Sequence, residues 1–395
     1  MPDVKMNELP AIVGIGATKH NREKVSNVIA DVATAMQMAC EDAGIKLADL
    51  DGLMVHSIGP NTAGGDLDRL PQLLGLDIRH CYQTWSHGRL IAQSVHMASL
   101  LVSAKGNAKY MAIVGGSGSI AGAAGGGSAR GGEAYREGGG PHLEHPHFGA
   151  VSPFVSSGMA MRRYFETFGY DKVKGFGAIA VAERKHAMLN PNAFMHNPIT
   201  LDDYLASRTV VEPLRLLDCG LPTNAATCII VTSAERARDM KQHPVRIMEA
   251  TGIHSSREEI SMTRPGLGVY QQETTTVNKG DYKKIYADAG IEQKDLSCLY
   301  AYETFLPSAM WSIERMGFCE FGEGADWVQD GRIELGGEMP LNTHGGFLSE
   351  GMGGQGHLVE MVRQLRHAAG ERQVKDAQFA QYCTHQNNSL IMGRD

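Results

Sequence analysis

Asp42-Ala43-Gly44-Ile45, followed by Asp49-Leu50 and Leu53, recurs in the chain as Asp288-Ala289-Gly290-Ile291, followed by Asp295-Leu296 and Leu299. The offset is 246 residues throughout, from 42 to 288 and from 53 to 299. Each copy reads as the end of a helix, a glycine turn and the start of a strand. A second echo pairs NAKYMAIV (107–114) with DAQFAQYC (376–383), each placed after a long helix that ends in glycine, Gly106 and Gly370. Two echoes in the same order predict a duplicated βαβαβ unit. The boundary falls near 245–250, giving halves 1–245 and 246–395, with an insertion over about 117–224 in the first.

Outward from the repeat, strands and helices alternate. AIVGIGA (11–17) reads as a short apolar strand, and 27–44 has apolar residues at helical spacing and stops at Gly44. LDGLMVHSI (50–58) is a strand, 86–106 a helix, and AKYMAIVGG (108–116) a buried strand. Such alternation implies an α/β fold with a mostly parallel sheet covered by helices on both faces.

At 395 residues the chain is too long for one simple core. Its apolar share of 43% and charged share of 21% are those of an ordinary globular enzyme. A net charge of −7 without a basic stripe argues against nucleic acid as a partner. No apolar run is long enough to span a bilayer, and the N-terminus lacks a signal pattern, so no membrane role is expected. The seven cysteines are irregularly spaced and form no CxxC pair, which reads as reduced thiols of a cytoplasmic protein. The glycine-rich stretch 115–132 fits neither the P-loop nor the dinucleotide fingerprint, and is expected to border an active site as a loop. HLEHPHF (142–148) has no second ligand cluster to complete a metal site, so it reads as a polar loop and no metal is expected.

Five segments together resemble the thiolase superfamily, in its lipid-transfer-protein branch: 164–193, 213–233, YETFLPSAMWSIERMGFCEFGEG (302–324), MPLNTHGGFLSEG (339–351) and 360–378. Their order and spacing match over nearly the whole chain. The resemblance implies a thiolase fold, two duplicated βαβαβ halves in α/β/α/β/α layers. It also implies an acyl-CoA tunnel between the halves and a homodimer formed through first-half sheet edges. The expected edge strand lies near 107–116, whose apolar character would be an aggregation hazard if exposed.

Four motif positions decide the chemistry. Thiolases place a nucleophilic cysteine on the turn that opens the long helix of the first half, where a helix N-terminus lowers a thiol's pKa. The corresponding stretch here is TWSHGRL (84–90), with no cysteine: Ser86 and His87 are the candidates left there, and Trp85 lines the pocket. The thiolase Asn-Glu-Ala-Phe motif corresponds to Tyr302-Glu303-Thr304-Phe305, and the tyrosine resembles that of the steroid side-chain aldolases, where it has an acid–base role. Counting from Gly345-Gly346, the histidine of the Gly-His-Pro motif falls on Met352, so His344 is a candidate substitute and Glu350 another acid–base candidate. Cys383 holds the place of the C-terminal thiolase cysteine, with His385 close behind it.

A chain without the acyl-accepting cysteine can still stabilise a thioester enolate, which is what retro-aldol cleavage requires. The expected function is therefore an aldolase-like lyase that splits a β-hydroxyacyl-CoA into a ketone or aldehyde and a shorter acyl-CoA. Tyr302 is the base, Cys383 or His344 the proton donor, and His87 a polarising group. Two alternatives stand beside it: a thiolase or acyltransferase that uses an unusual nucleophile, with Ser86 a candidate, and a catalytically inactive acyl-CoA-binding subunit of a heteromeric complex. Coenzyme A enters only with the substrate, and no resident cofactor is expected. The resemblance further implies a small zinc-containing OB-fold partner that contributes to CoA binding.

Overall fold

The computed structural model describes residues 5–23, 27–58, 66–84, 90–103, 108–117, 153–252, 282–351, 356–386 and 388–395. Trp85, Ser86, His87, Met352, the glycine-rich stretch beyond Ser117 and the histidine run 142–148 lie outside the described residues.

Among these residues nine strands form one mixed sheet: β1 Ala11–Ala17, β2 Gly52–Ile58, β3 His80–Gln83, β4 Tyr110–Ser117, β5 Ala225–Thr232, β6 Val245–Ala250, β7 Cys298–Ala301, β8 Phe379–Cys383 and β9 Ser389–Arg394. Their order is β3-β2-β4-β5-β1-β6-β9-β8-β7. The pairing repeats itself on either side of a seam. β1 runs antiparallel to β5 and β5 to β4, while β4 is parallel to β2. In the second half β6 is antiparallel to β9 and β9 to β8, while β8 is parallel to β7. Among the described residues the two sets join where β1 meets β6, at Ala11↔Arg246 and Ile12↔Val245.

The repeated segment folds the same way twice. The helix Val28–Ala43 (α1) ends on Gly44 at φ 76°, and the helix before β7 ends just ahead of Gly290 at φ 71°. Both angles lie in the left-handed region, which glycine enters without a Cβ clash. In both copies an aspartate then accepts a backbone N–H three residues back, Lys46 N–H to Asp49 and Glu292 N–H to Asp295, each at 2.8 Å. The second echo holds for its strands, since Tyr110 and Phe379 each open one. Its helix end differs: the helix Gly356–Leu365 stops before His367, which takes the left-handed conformation at φ 55°, and Gly370 belongs to the following turn.

The expected edge strand is also corrected. β4 lies inside the sheet between β2 and β5, and the first-half edge is β3, whose residues alternate between half-buried and exposed. An apolar run marks a buried strand without saying which strands flank it, and β5 reaches β4 from beyond the insertion.

Three cores account for the layers. α1 packs on the outer face of the first half, around Val13, Val55, Ala112 and Ile230. The helix Ile91–Ser103 (α2) and the helix Gly356–Leu365 (α3) share a central core with strands of both halves, including Ile12, Ile113, Tyr300 and Tyr382. The helices Pro153–Phe168 (α4), Val173–Met188 (α5) and Leu306–Arg315 (α6) cover the outer face of the second half, over Leu299, Ala301 and Ile391. The result is the α/β/α/β/α arrangement, with α4 and α5 of the insertion supplying part of the last layer. No helix among the described residues is long and apolar enough to cross a membrane.

Candidate active site

The C-terminal end of β7 positions the first functional group. Tyr302 continues the strand, its N–H bonded to the Cys383 carbonyl at 3.0 Å. Successive side chains of a strand face opposite ways, so Tyr300 and Tyr302 enter the central core while Ala301 enters the outer one. The Tyr302 hydroxyl accepts a hydrogen bond from Thr304. Its ring stands edge-on to Phe347 at 5.3 Å between centroids and lies 6.5 Å from the His357 ring.

Residues 340–342 hold the next group against β7. Leu299 N–H donates to the Pro340 carbonyl and Asn342 N–H to the Leu299 carbonyl. The chain then passes His344 and turns at Gly345 and Gly346, with φ 105° and 59°, into a single wide helical turn over Gly346–Glu350. Glycine is required at 346 on a second ground: a Cβ there would lie 2.3 Å from both Glu183 Oε2 and Glu303 Oε1.

Glu303, fully buried, is a hub. One oxygen accepts the Phe347 N–H, and the other lies 2.9 Å from His357 Nε2 at the start of α3. Beside it, Glu183 of α5 accepts a 2.7 Å bond from the Asn342 amide. Burial, and then the neighbouring Glu303, hold the Glu183 carboxyl well above the usual carboxylate range.

A second set surrounds Glu350. Its Oε1 accepts the Asn190 amide at 2.9 Å, and its Oε2 stands 3.7 Å from His344 Nε2 and 3.8 Å from His20 Nε2. His20 Nδ1 is 2.7 Å from the Thr223 hydroxyl. Neither His344 ring nitrogen nor Glu350 Oε2 has a hydrogen-bond partner among the described residues. Burial raises Glu350 to about 8, and the Asn190 bond only partly opposes it. Burial and the adjacent His357 push His344 well below the ordinary histidine value. At neutral pH the pair is a protonated carboxyl beside a neutral imidazole, a proton donor next to an acceptor. The His344 and His357 rings are 4.5 Å apart, which links the two sets.

The structure therefore brings Tyr302, His344, Glu350, Gly345 and Gly346 together. It separates Cys383 from them. That side chain, fully buried, joins the outer core, while its strand neighbour Tyr382 faces the central one. Burial alone drives its thiol strongly upward, away from any acid–base range near neutrality. His385 follows it outward: its ring stands 6.5 Å from Trp311 and its carbonyl accepts from Arg315. Motif position located both in the chain but did not give the face. His20, Glu183, Asn190, Glu303 and His357 also adjoin this cluster, and sequence reasoning did not single them out. For Glu303 a signal was present inside Tyr302-Glu303-Thr304-Phe305. His20, Glu183 and Asn190 come from segments remote in sequence and carry no local pattern.

Among the described residues no group of three or more His, Cys, Asp or Glu side chains is arranged to hold a metal ion. A layered α/β fold with an acid–base cluster where β7 meets the Gly345-Gly346 turn defines a thiolase-fold enzyme. The comparisons agree. The Thiolase C-terminal domain-like family model matches residues 271–392. Human mitochondrial 3-ketoacyl-CoA thiolase superposes with a TM-score of 0.66, covering 99% of this chain and 100% of that one at 13% identity, a likeness of fold.

The sequence relatives are more specific. The 17-hydroxy-3-oxo-4-pregnene-20-carboxyl-CoA lyase of Mycobacterium tuberculosis is 34% identical, covering 90% of this chain and 91% of the relative. The steroid side-chain-cleaving aldolase of Thermomonospora curvata is 31% identical, covering 91% and 92%. A solved Ltp2-ChsH2(DUF35) aldolase is 28% identical with a TM-score of 0.82 over 98% of both chains. The chain belongs to the lipid-transfer-protein branch of the thiolase superfamily, with the steroid side-chain-cleaving aldolases, and is an aldolase-type carbon–carbon lyase.

Proposed function

We propose that the chain cleaves a β-hydroxyacyl-CoA thioester by a retro-aldol reaction, with a steroid side-chain thioester as its substrate class. Coenzyme A enters as part of that substrate. Tyr302 takes the proton of the β-hydroxyl, the Cα–Cβ bond breaks to leave a thioester enolate, and a ketone or aldehyde departs. The side of the site holding Glu350 and His344 supplies the proton that completes the shorter acyl-CoA. The single observation that carries this reading is the buried pairing of a proton-bearing Glu350 with neutral His344, linked through His357 to Tyr302. Cys383 has no part in it, because its side chain faces the other way.

The solved relative is an aldolase with a DUF35 subunit. By analogy with it we propose a DUF35-type partner for this chain, and, from the thiolase-family resemblance, that the partner is a small zinc-containing OB-fold protein helping to hold CoA and that the chain is a cytoplasmic homodimer. Among the described residues β3 is the first-half edge strand, and we propose it as the edge through which two copies pair. The test is incubation of the purified chain, alone and with a DUF35 partner, with a panel of β-hydroxyacyl-CoA thioesters. Release of a carbonyl compound together with a shorter acyl-CoA is expected. Acyl-CoA binding without cleavage in both preparations refutes the proposal and favours an inactive binding subunit.

A further inference from the structure

We propose that His357, aimed by Glu303, is the group that protonates the α-carbon and recovers its proton from Tyr302. The inference deepens the lyase reading above and rests on it.

Three observations carry it. His357 opens α3 directly behind the turn that carries His344 and Glu350, and is nearly fully buried. Its Nε2 is fixed 2.9 Å from Glu303 Oε2, and no other hydrogen bond to the ring is made among the described residues. With Nε2 committed to Glu303, Nδ1 is the nitrogen left to exchange a proton. The ring also stands at the junction of the cluster, 4.5 Å from His344, 4.7 Å from Phe347 and 6.5 Å from Tyr302 between centroids. A core histidine would not need a buried carboxylate that also receives the Phe347 amide. Here Glu303 orients the ring and offsets the charge it acquires with a proton.

The proton count of the reaction gives the role. In the reacting form Tyr302 is the phenolate, to which the Thr304 hydroxyl donates, and His357 holds the matching proton; one proton leaves the β-hydroxyl oxygen for the Tyr302 oxygen as the carbonyl forms at Cβ. The electron pair of the broken Cα–Cβ bond passes into the thioester enolate, and one proton is added at Cα. Nothing is oxidised or reduced. The proton taken by Tyr302 equals the one given by His357, so moving it from Tyr302 to His357 restores the enzyme. Glu350 and His344 stand behind His357 as the buffer of that exchange.

The second half-reaction can be read alone, as exchange of the α-hydrogens of the shorter acyl-CoA product with solvent deuterium. His357→Gln keeps an N–H donor for Glu303 but carries no titrating nitrogen. In it, exchange and cleavage are both expected to fall by about 10²-fold or more, with KM for the thioester little changed. Imidazole should restore part of the exchange in His357→Ala. Tyr302→Phe should lose cleavage and keep exchange. Exchange retained in His357→Gln overturns the inference, as does a loss that only follows the folded fraction measured by near-UV circular dichroism. If the wild type catalyses exchange but no cleavage, the lyase reading fails first, and the two failures are distinguishable.

Discussion

The two copies of the helix–turn–strand unit fold alike and end differently. At the offset of 246, His56 on β2 corresponds to Tyr302 just past β7. Both side chains are buried beside the central helices. His56 is closed off by Ser94 of α2, 2.9 Å from its Nδ1, with Thr84 3.4 Å from the same hydroxyl. Tyr302 instead faces His357, Phe347 and the carboxyls behind them. One copy ends in a histidine held to the Ser94 hydroxyl of the adjacent helix, the other in a cluster of shifted acids and bases. The same scaffold occurs twice, and among the described residues its two ends carry different side chains.

The comparison breaks first at Tyr302. Tyr302→Phe keeps the ring and its packing but removes the hydroxyl, so the fold should hold while cleavage falls by ~10²–10⁴-fold. Steady-state kinetics with the cleavable thioester measure this directly. Full activity in the variant would make the two ends equivalent.

Glu350→Gln is expected to lower turnover by about 10²-fold. Glu350 is raised to about 8, so it holds its proton through neutrality and loses it as the pH climbs past that value. A pH–rate profile should therefore show a descending limb near pH 8 in the wild type that is missing in the variant. The sign for stability is the same. Glu350 and Glu249 are both raised to about 8, so the folded state keeps protons that the unfolded chain has already released, and stability declines as pH rises toward that value. His20 and His186, lowered to about 4, act oppositely and only below the ordinary histidine range near 6.5. The melting temperature is thus expected to fall between about pH 6.5 and 8, less steeply in Glu350→Gln.

The first-half end should respond in the other currency. His56→Leu leaves the Ser94 hydroxyl without its imidazole partner, at a cost of about 1–3 kcal/mol in a denaturant melt, with kcat unchanged. Ser86→Ala is the smallest effect: near-silent under the lyase account, and abolishing under an acyltransferase one.

What the sequence disclosed follows the range of the interactions involved. The repeated turn was legible because Gly44, Asp49, Gly290 and Asp295 act within a few residues of themselves. The interior place of β4 was not, because β5 reaches it across more than a hundred residues. Motif position singled out Tyr302, His344 and Glu350, and the fold brings them into one cluster. The outward face of Cys383 was not legible, since the face depends on strand register, which motif matching ignores. His20 and Asn190 reach Glu350 from more than 150 residues away, and only the fold assembles them.

A single-turnover reaction, quenched and analysed by mass spectrometry for both the intact protein and the small molecules, tests the central claim most directly. With a β-hydroxyacyl-CoA substrate, the account predicts a free carbonyl product, a shorter acyl-CoA and a protein of unaltered mass. A protein carrying a covalent acyl group, with no carbonyl compound released, would contradict it.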